Sequence, residues 1–284
     1  MLYGVQWLDA SLVGLLGLLI GSFMNVVVHR MPKMLEQQWK AEACEMLEQQ
    51  APAAARFNLM VPRSRCPHCG HTIIWYENIP VLSYLALGGK CSACKAPIGL
   101  RYPLVEITLA ALFFYCVWVH GANATGLVWC AFSAILLAAA LIDWDTTLLP
   151  DDLTLPLLWL GLVAAAMHWI PVTLDAALWG AVGGYMSLWL VYWAFKLVTG
   201  KEGMGYGDFK LLAALGAWMG WKMLFPIVLM SAAAGAVLGL LLIALKKHEM
   251  GRQMPFGPYL AAAGFLVMLW GPQLVARYLG LFAQ

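Results

Sequence analysis

Two aspartates in polar breaks of an apolar chain could carry out acid–base chemistry together. Asp143 directly follows an apolar run, and Asp208 directly precedes another. Two carboxylates held a few Å apart cannot both ionise cheaply, so they share a proton. One carboxyl group can then activate a water molecule while the other protonates a leaving amine. The alternative is that both are solvated loop carboxylates or helix caps, and Asp208 in particular could cap the helix that it opens.

Four of the seven cysteines form two Cys-x-x-Cys pairs, Cys66 with Cys69 and Cys91 with Cys94. Two such pairs separated by about 20 residues are typical of a zinc ribbon. Four thiolates complete the tetrahedral shell of a structural zinc ion, so these cysteines are the predicted metal ligands. An iron–sulfur cluster and inert thiols are the alternatives. Zinc would stabilise a segment that has too little core of its own.

Membrane-spanning helices are the elements predicted to position these groups. The chain is 62% hydrophobic and 11% charged, whereas a soluble domain has about 25% charged residues. The apolar residues come in long blocks, which indicates an all-α polytopic membrane protein of about eight transmembrane helices with a small zinc-binding cytoplasmic domain. A first span lies within residues 1–28, and the later spans are predicted at 104–120, 125–142, 153–170, 176–198, 209–220, 225–245 and 259–279.

The distribution of basic residues predicts the topology. Arg30, Lys33, Lys95 and Arg101 lie near the ends of the long polar stretch 29–102, and such residues favour the cytoplasmic side. The predicted N-terminus is therefore periplasmic, 29–102 is a cytoplasmic zinc-binding domain, and 103–284 is a transmembrane domain. Thiols stay reduced in the cytoplasm. The net charge of +2 gives no argument for a nucleic-acid partner, and membrane lipid is the predicted environment.

Six short motifs, occurring in order, together resemble those of the type IV prepilin peptidase family, which are G-x-G-D aspartyl membrane proteases. They are Gly21-Ser22-Phe23-Met24-Asn25-Val26 with His29-Arg30, Asn78-Ile79-Pro80-Val81-Leu82-Ser83-Tyr84-Leu85, Arg101-Tyr102-Pro103-Leu104-Val105-Glu106, Ile142-Asp143 with Leu149-Pro150-Asp151, Gly205-Tyr206-Gly207-Asp208, and Pro255-Phe256-Gly257-Pro258-Tyr259-Leu260. They extend from near the N-terminus to the last predicted span, so the resemblance covers nearly the whole chain.

The resemblance implies a bacterial inner-membrane enzyme with two activities. Family members cleave the basic leader from type IV prepilins and pseudopilins, and many then methylate the new N-terminal residue with S-adenosylmethionine. It implies that Asp143 and Asp208 are the catalytic pair, with Asp145 as the alternative to Asp143. It also implies that 29–102 is the methyltransferase region and 103–284 the peptidase domain. The residues that bind the methyl donor stay unknown, because no Gly-rich cofactor fingerprint follows a strand.

Two functions of other classes remain as alternatives from the residues alone. A proton-coupled transporter could use Asp143 and Asp208 as its ion site, since intramembrane carboxylates often serve that purpose. A membrane-anchored zinc scaffold would instead depend on the cysteines and not on the aspartates. Substitution of the aspartates, compared with substitution of Cys66, distinguishes these possibilities from a protease.

Overall fold

The computed structural model describes residues 6–49, 56–244 and 254–282, and in these ranges its regular structure is helical. The described α-helices are α1 Gln6–Met46, α2 Leu82–Ala86, α3 Arg101–His120, α4 Ala124–Thr146, α5 Asp151–Ala166, α6 Leu174–Thr199, α7 Tyr206–Met219, α8 Leu224–Ala244 and α9 Gly257–Phe282. Two short 3₁₀ helices, Trp75–Asn78 and Trp221–Met223, precede α2 and α8.

The helices coincide with the predicted spans, which confirms the all-α polytopic class. Within the described ranges, five stretches are long and apolar enough to cross a membrane: Gln6–Met46, Arg101–His120, Ala124–Thr146, Leu174–Thr199 and Trp221–Leu241. Helices α5 and α7 are shorter, as is the apolar stretch Gly257–Gly271 of α9. The prediction of about eight spans is therefore not confirmed, although a described helix overlaps every predicted range.

The chain forms two compact units, Met1–Ala134 and Ile135–Gln284, called unit 1 and unit 2 below. The boundary between them falls inside α4. The predicted division at 28/29 and 102/103 concerns membrane placement and function and stays a prediction. Locally, α1 continues past residue 28 to Met46, because Glu, Gln, Lys, Ala and Met in this stretch are all good helix formers.

In unit 1, α1 and α3 pack backbone against backbone through small residues. A Cβ atom on Gly17 would lie 2.8 Å from Cα of Ala110, and one on Gly21 would lie 2.7 Å from Cα of Glu106. Any larger residue at these positions would push the helices apart. Such close approach of small residues is a usual way for membrane helices to associate, since dispersion contacts replace the missing hydrophobic drive.

In unit 2, α7 is the buried helix, and α5 and α6 pack against it. A Cβ atom on Gly184 of α6 would lie 2.6 Å from the carbonyl oxygen of Leu212 in α7. On the α5 side, the buried indole Nε1 of Trp218 donates to the Leu157 carbonyl at 2.8 Å. These contacts fix α7, and with it the position of the acidic side chain in its first turn.

Candidate active site and candidate metal centre

Asp143 lies in the last turn of α4, and its side chain is buried. Only 4% of the residue is exposed, whereas Asp145 two residues later is exposed. The helix ends because Thr147 adopts a left-handed backbone conformation, with φ of 55°. Its N–H donates to the Asp143 carbonyl at 2.8 Å. The helical period thus turns Asp143 inward and leaves Asp145 facing outward.

Asp208 lies in the first turn of α7 and is 7% exposed. The helix N-cap is Gly205, so the alternative that Asp208 itself caps this helix is wrong. The backbone N–H of Asp208 donates to the Gly205 carbonyl at 3.2 Å. A carboxylate in the first turn of a helix is stabilised by the positive end of the helix dipole.

The two aspartates converge, and their charges interact. A third segment, the start of α9, completes the site, because the Gly257 N–H donates to Oδ2 of Asp143 at 2.9 Å. A Cβ atom on Gly257 would lie 2.6 Å from this oxygen. A Cβ atom on Gly207 would lie 2.5 Å from Cβ of Leu149 in the loop between α4 and α5. Both glycines therefore permit an approach that a larger residue would prevent.

An ion pair joins helices α5 and α7. Lys210 Nζ contacts both carboxylate oxygens of Asp151, at 2.6 and 2.7 Å. It links the second turn of α7 to the first turn of α5. Asp151 and Asp152 are exposed and lie in the first turn of α5.

The four predicted metal ligands also converge, within unit 1. The Sγ atoms of Cys66, Cys69, Cys91 and Cys94 all lie within 4.8 Å of one another. The Cys66 and Cys94 sulfurs are 3.8 Å apart, which is about the sulfur–sulfur edge of a tetrahedron with 2.3 Å metal–sulfur bonds. All seven cysteines lie in the described ranges and are free thiols. The arrangement fits a four-coordinate metal ion.

Each Cys-x-x-Cys pair sits on the same kind of turn. The residue after the second cysteine donates to the carbonyl of the first, Gly70 to Cys66 at 2.9 Å and Lys95 to Cys91 at 3.1 Å. Both of these residues have left-handed φ angles, 72° and 60°. The backbone N–H groups of Cys69 and His68 donate to the Cys66 thiol and lower its pKa to about 6. These hydrogen bonds favour the thiolate of Cys66, the form that binds metal.

Two features of these sites escaped the sequence interpretation. The hydrogen bond from Gly257 N–H to Asp143 and the ion pair between Lys210 and Asp151 each join residues far apart in the chain. No local sequence pattern therefore indicates them. The sequence did contain one signal for the role of Gly257, because this residue belongs to the last of the six motifs quoted above. Outside the cysteine cluster, His71 Nε2 contacts Glu77 Oε2 at 3.1 Å.

Comparisons with known proteins agree with the motifs. The model of the bacterial peptidase A24 N-terminal domain matches residues 15–120, and that of the type IV leader peptidase family matches residues 130–240. The chain is 57% identical over 266 residues to a prepilin leader peptidase/N-methyltransferase of Pseudomonas aeruginosa, covering 93% of this chain and 91% of the relative. The so-named protein of Aeromonas hydrophila is 51% identical over 280 residues, covering 98% and 96%. No solved structure matches the chain significantly.

Proposed function

Because this chain belongs to the type IV leader peptidase family, we propose that it cleaves the leader peptide of prepilins and pseudopilins and N-methylates the new N-terminal residue. It is both a protease and a methyltransferase. The observation that carries the peptidase assignment is the convergence of two buried carboxylates, Asp143 and Asp208, in unit 2. The transporter alternative has no comparable support among the relatives.

Asp143 and Asp208 are the catalytic pair of this proposal. One carboxylate takes a proton from a water molecule, which attacks the carbonyl carbon of the scissile peptide bond. The protonated partner gives its proton to the leaving amine as the C–N bond breaks. The pair titrates as a unit, so its pKa values belong to the couple and not to either residue. The burial of Asp143 and exposure of Asp145 favour Asp143 as the partner of Asp208.

The Gly257 N–H positions the carboxylate of Asp143. Because it donates a hydrogen bond to Oδ2 at 2.9 Å, it fixes the plane of the carboxylate. Oδ1 is then left to face the attacking water molecule. Substrate enters with its apolar segment in the membrane and its basic leader in the cytoplasm, which places the scissile bond at the boundary. Several apolar helices support a multi-pass membrane setting, and the periplasmic N-terminus follows from the basic residues of 29–102.

Zinc is the proposed metal of Cys66, Cys69, Cys91 and Cys94. Four thiolates without an open position form a closed site, which is characteristic of structural zinc. The metal orders the segment 56–100 and has no part in hydrolysis. The methyl donor is S-adenosylmethionine, and 29–102 is the proposed methyltransferase region. When bound, this cofactor would supply an electrophilic methyl group to the amine nitrogen of the cleaved product.

The test of the peptidase is substitution of each aspartate by asparagine. The purified chain is incubated with a prepilin in detergent, and the products are measured by mass spectrometry. We expect Asp143→Asn and Asp208→Asn each to slow cleavage by ~10³-fold or more, because each removes an acid or base. Asp145→Asn is the matched control and should cleave normally. Retained cleavage in either of the first two variants would refute the assignment.

A further inference from the structure

A cavity of about 560 Å³ lies in unit 1, between α1 and the cysteine-rich segment. Small-molecule sites usually have volumes of about 300 to 1,000 Å³. Three of the six motifs contribute to its wall: Ser22 and Asn25 from the first, Asn78 from the second and Tyr102 from the third. The other three motifs surround Asp143 and Asp208 in unit 2. The peptidase site therefore leaves this cavity without an assigned function.

The wall combines apolar surface with a few polar groups. Phe57, Ile73, Leu87, Ile98 and Tyr102 supply aromatic and aliphatic surface, which suits a planar heteroaromatic ring. Asn25 Nδ2 donates to the carbonyls of Gly21 and Tyr102, both at 3.3 Å, so Asn25 offers its Oδ1 as an acceptor. The Asn78 amide adds donors and an acceptor for the edge of such a ring or a ribose. Arg30 holds the segment 58–62 at one side of the cavity, because its guanidinium donates to the carbonyls of Asn58 at 2.9 Å and Pro62 at 2.7 Å.

The cavity presents charges of both signs. Glu77, whose side chain is 8% exposed, accepts hydrogen bonds at 3.1 Å from the Ile74 N–H and from His71. It also bonds to the Ser92 hydroxyl. A carboxylate has about four acceptor positions, so Glu77 keeps capacity for a further donor or a cation. Lys33 stands on α1 with its Nζ 2.9 Å from Nε2 of His29, and it supplies a positive charge.

We propose that this cavity is the binding site for S-adenosylmethionine. In this proposal the adenine packs between the apolar walls, and the side-chain amides bind its polar edge. Glu77 faces the cationic sulfonium and ammonium groups of the donor, and Lys33 faces its carboxylate. The donor is a zwitterion with an added sulfonium charge, so a cavity with both signs is complementary to it. This inference rests on the methyltransferase half of the proposed function and names the residues of its cofactor site.

The test compares two tryptophan substitutions at neighbouring leucines. Leu87 lines the cavity, whereas Leu85 is 68% exposed and does not. Affinity for S-adenosylmethionine is measured by equilibrium dialysis on the purified full chain in detergent. We expect Leu87→Trp to fill the cavity and weaken binding at least tenfold, about 1.4 kcal/mol. Leu85→Trp should bind as the unsubstituted chain does, and both variants should cleave prepilin normally.

Competition and cross-linking make the test independent of the variant's folding. S-adenosylhomocysteine should displace the donor, whereas inorganic phosphate should not. Displacement by phosphate at similar concentration would mean that the basic lining residues Lys33, Arg63 and Arg65 simply bind anions, and it would overturn the inference. Ultraviolet cross-linking of labelled S-adenosylmethionine to the unsubstituted chain should mark peptides within 22–102. Labelling elsewhere, or unchanged affinity in Leu87→Trp, would also overturn it.

A wrong methyltransferase assignment would give different results from a wrong location of the cofactor site. If the unsubstituted chain cleaves prepilin but neither binds S-adenosylmethionine nor transfers its methyl group, the methyltransferase assignment itself is wrong. If it methylates normally while Leu87→Trp binds the donor with full affinity, only the location in this cavity is wrong. Methylation of a pre-cleaved pilin peptide, measured by mass spectrometry, separates these two results.

Discussion

Three residues of the segment 56–100 are buried, Cys66, Pro80 and Cys91, whereas every residue of α7 from Leu211 to Trp218 is buried. Two of the three buried residues of the segment are proposed metal ligands. The segment thus has almost no apolar core and depends on its thiols, while α7 is held by side chains of neighbouring helices. If the thiols bind the proposed metal, the chain positions its reactive groups in two ways, by metal ligation in the segment 56–100 and by helix packing around α7.

Removal of a metal ligand is expected to produce the largest difference between the two regions. Cys91→Ser should release the metal, since a structural zinc site contributes about 10 kcal/mol or more of folding free energy. Metal content is measured by mass spectrometry, and amide hydrogen exchange reports local stability. We expect residues 61–99 to lose protection while α5 to α7 keep theirs.

Cys44→Ser is the matched control for the metal site. Cys44 lies on α1 and is not among the four clustered thiols, so its loss should leave both metal and protection intact. Equal loss of protection in α7 and in residues 61–99 of Cys91→Ser would contradict the comparison. It would mean that the metal supports the helical region as well.

A methyl group added at Gly257 should disturb the region held by packing. The new Cβ would lie 2.6 Å from Asp143 Oδ2 and 3.0 Å from Leu149 Cδ1, so the carboxylate must move. A displacement of about 1 Å can slow an enzyme ~10²-fold. We expect Gly257→Ala to lower kcat for prepilin cleavage by about this factor, with KM nearly unchanged, because substrate binding does not depend on Asp143.

Gly239→Ala serves as the comparison for this substitution. Its Cβ would meet nothing closer than Met254 Sδ at 3.6 Å, an ordinary contact, and alanine favours a helix over glycine by about 1 kcal/mol. Cleavage should therefore be unaffected. A normal kcat in Gly257→Ala would show that the Gly257 N–H does not position the catalytic carboxylate.

The features that sequence could predict are those carried by local pattern. Apolar length and hydropathy located the helices, for example 153–170 against Asp151–Ala166. The position of Asp143 beside an apolar run and the spacing of the cysteines selected residues that the fold brings together. The Gly257–Asp143 hydrogen bond could not be predicted, since it joins residues 114 positions apart. The Glu, Gln, Ala and Met residues of 35–55 also predicted a helix, and the structure describes helix there up to Met46. That this helix continues the first span without a break was not predicted, because the change from apolar to polar residues was interpreted as the end of an element.

The smallest expected effect concerns the two turns of the metal site, which differ at one residue. Gly70 has φ of 72° and Lys95 has φ of 60°, a conformation that costs a residue with a side chain about 1 kcal/mol. Lys95→Gly should relieve this strain and tighten metal binding by up to about fivefold, and Gly70→Ala should weaken it similarly. Competition with a coloured chelator measures both changes. A Cβ on Gly70 meets no atom within 4 Å, so backbone strain alone should set the change in metal affinity. The two substitutions must therefore change the affinity in opposite directions. A change in the same direction would mean that backbone strain is not the cause.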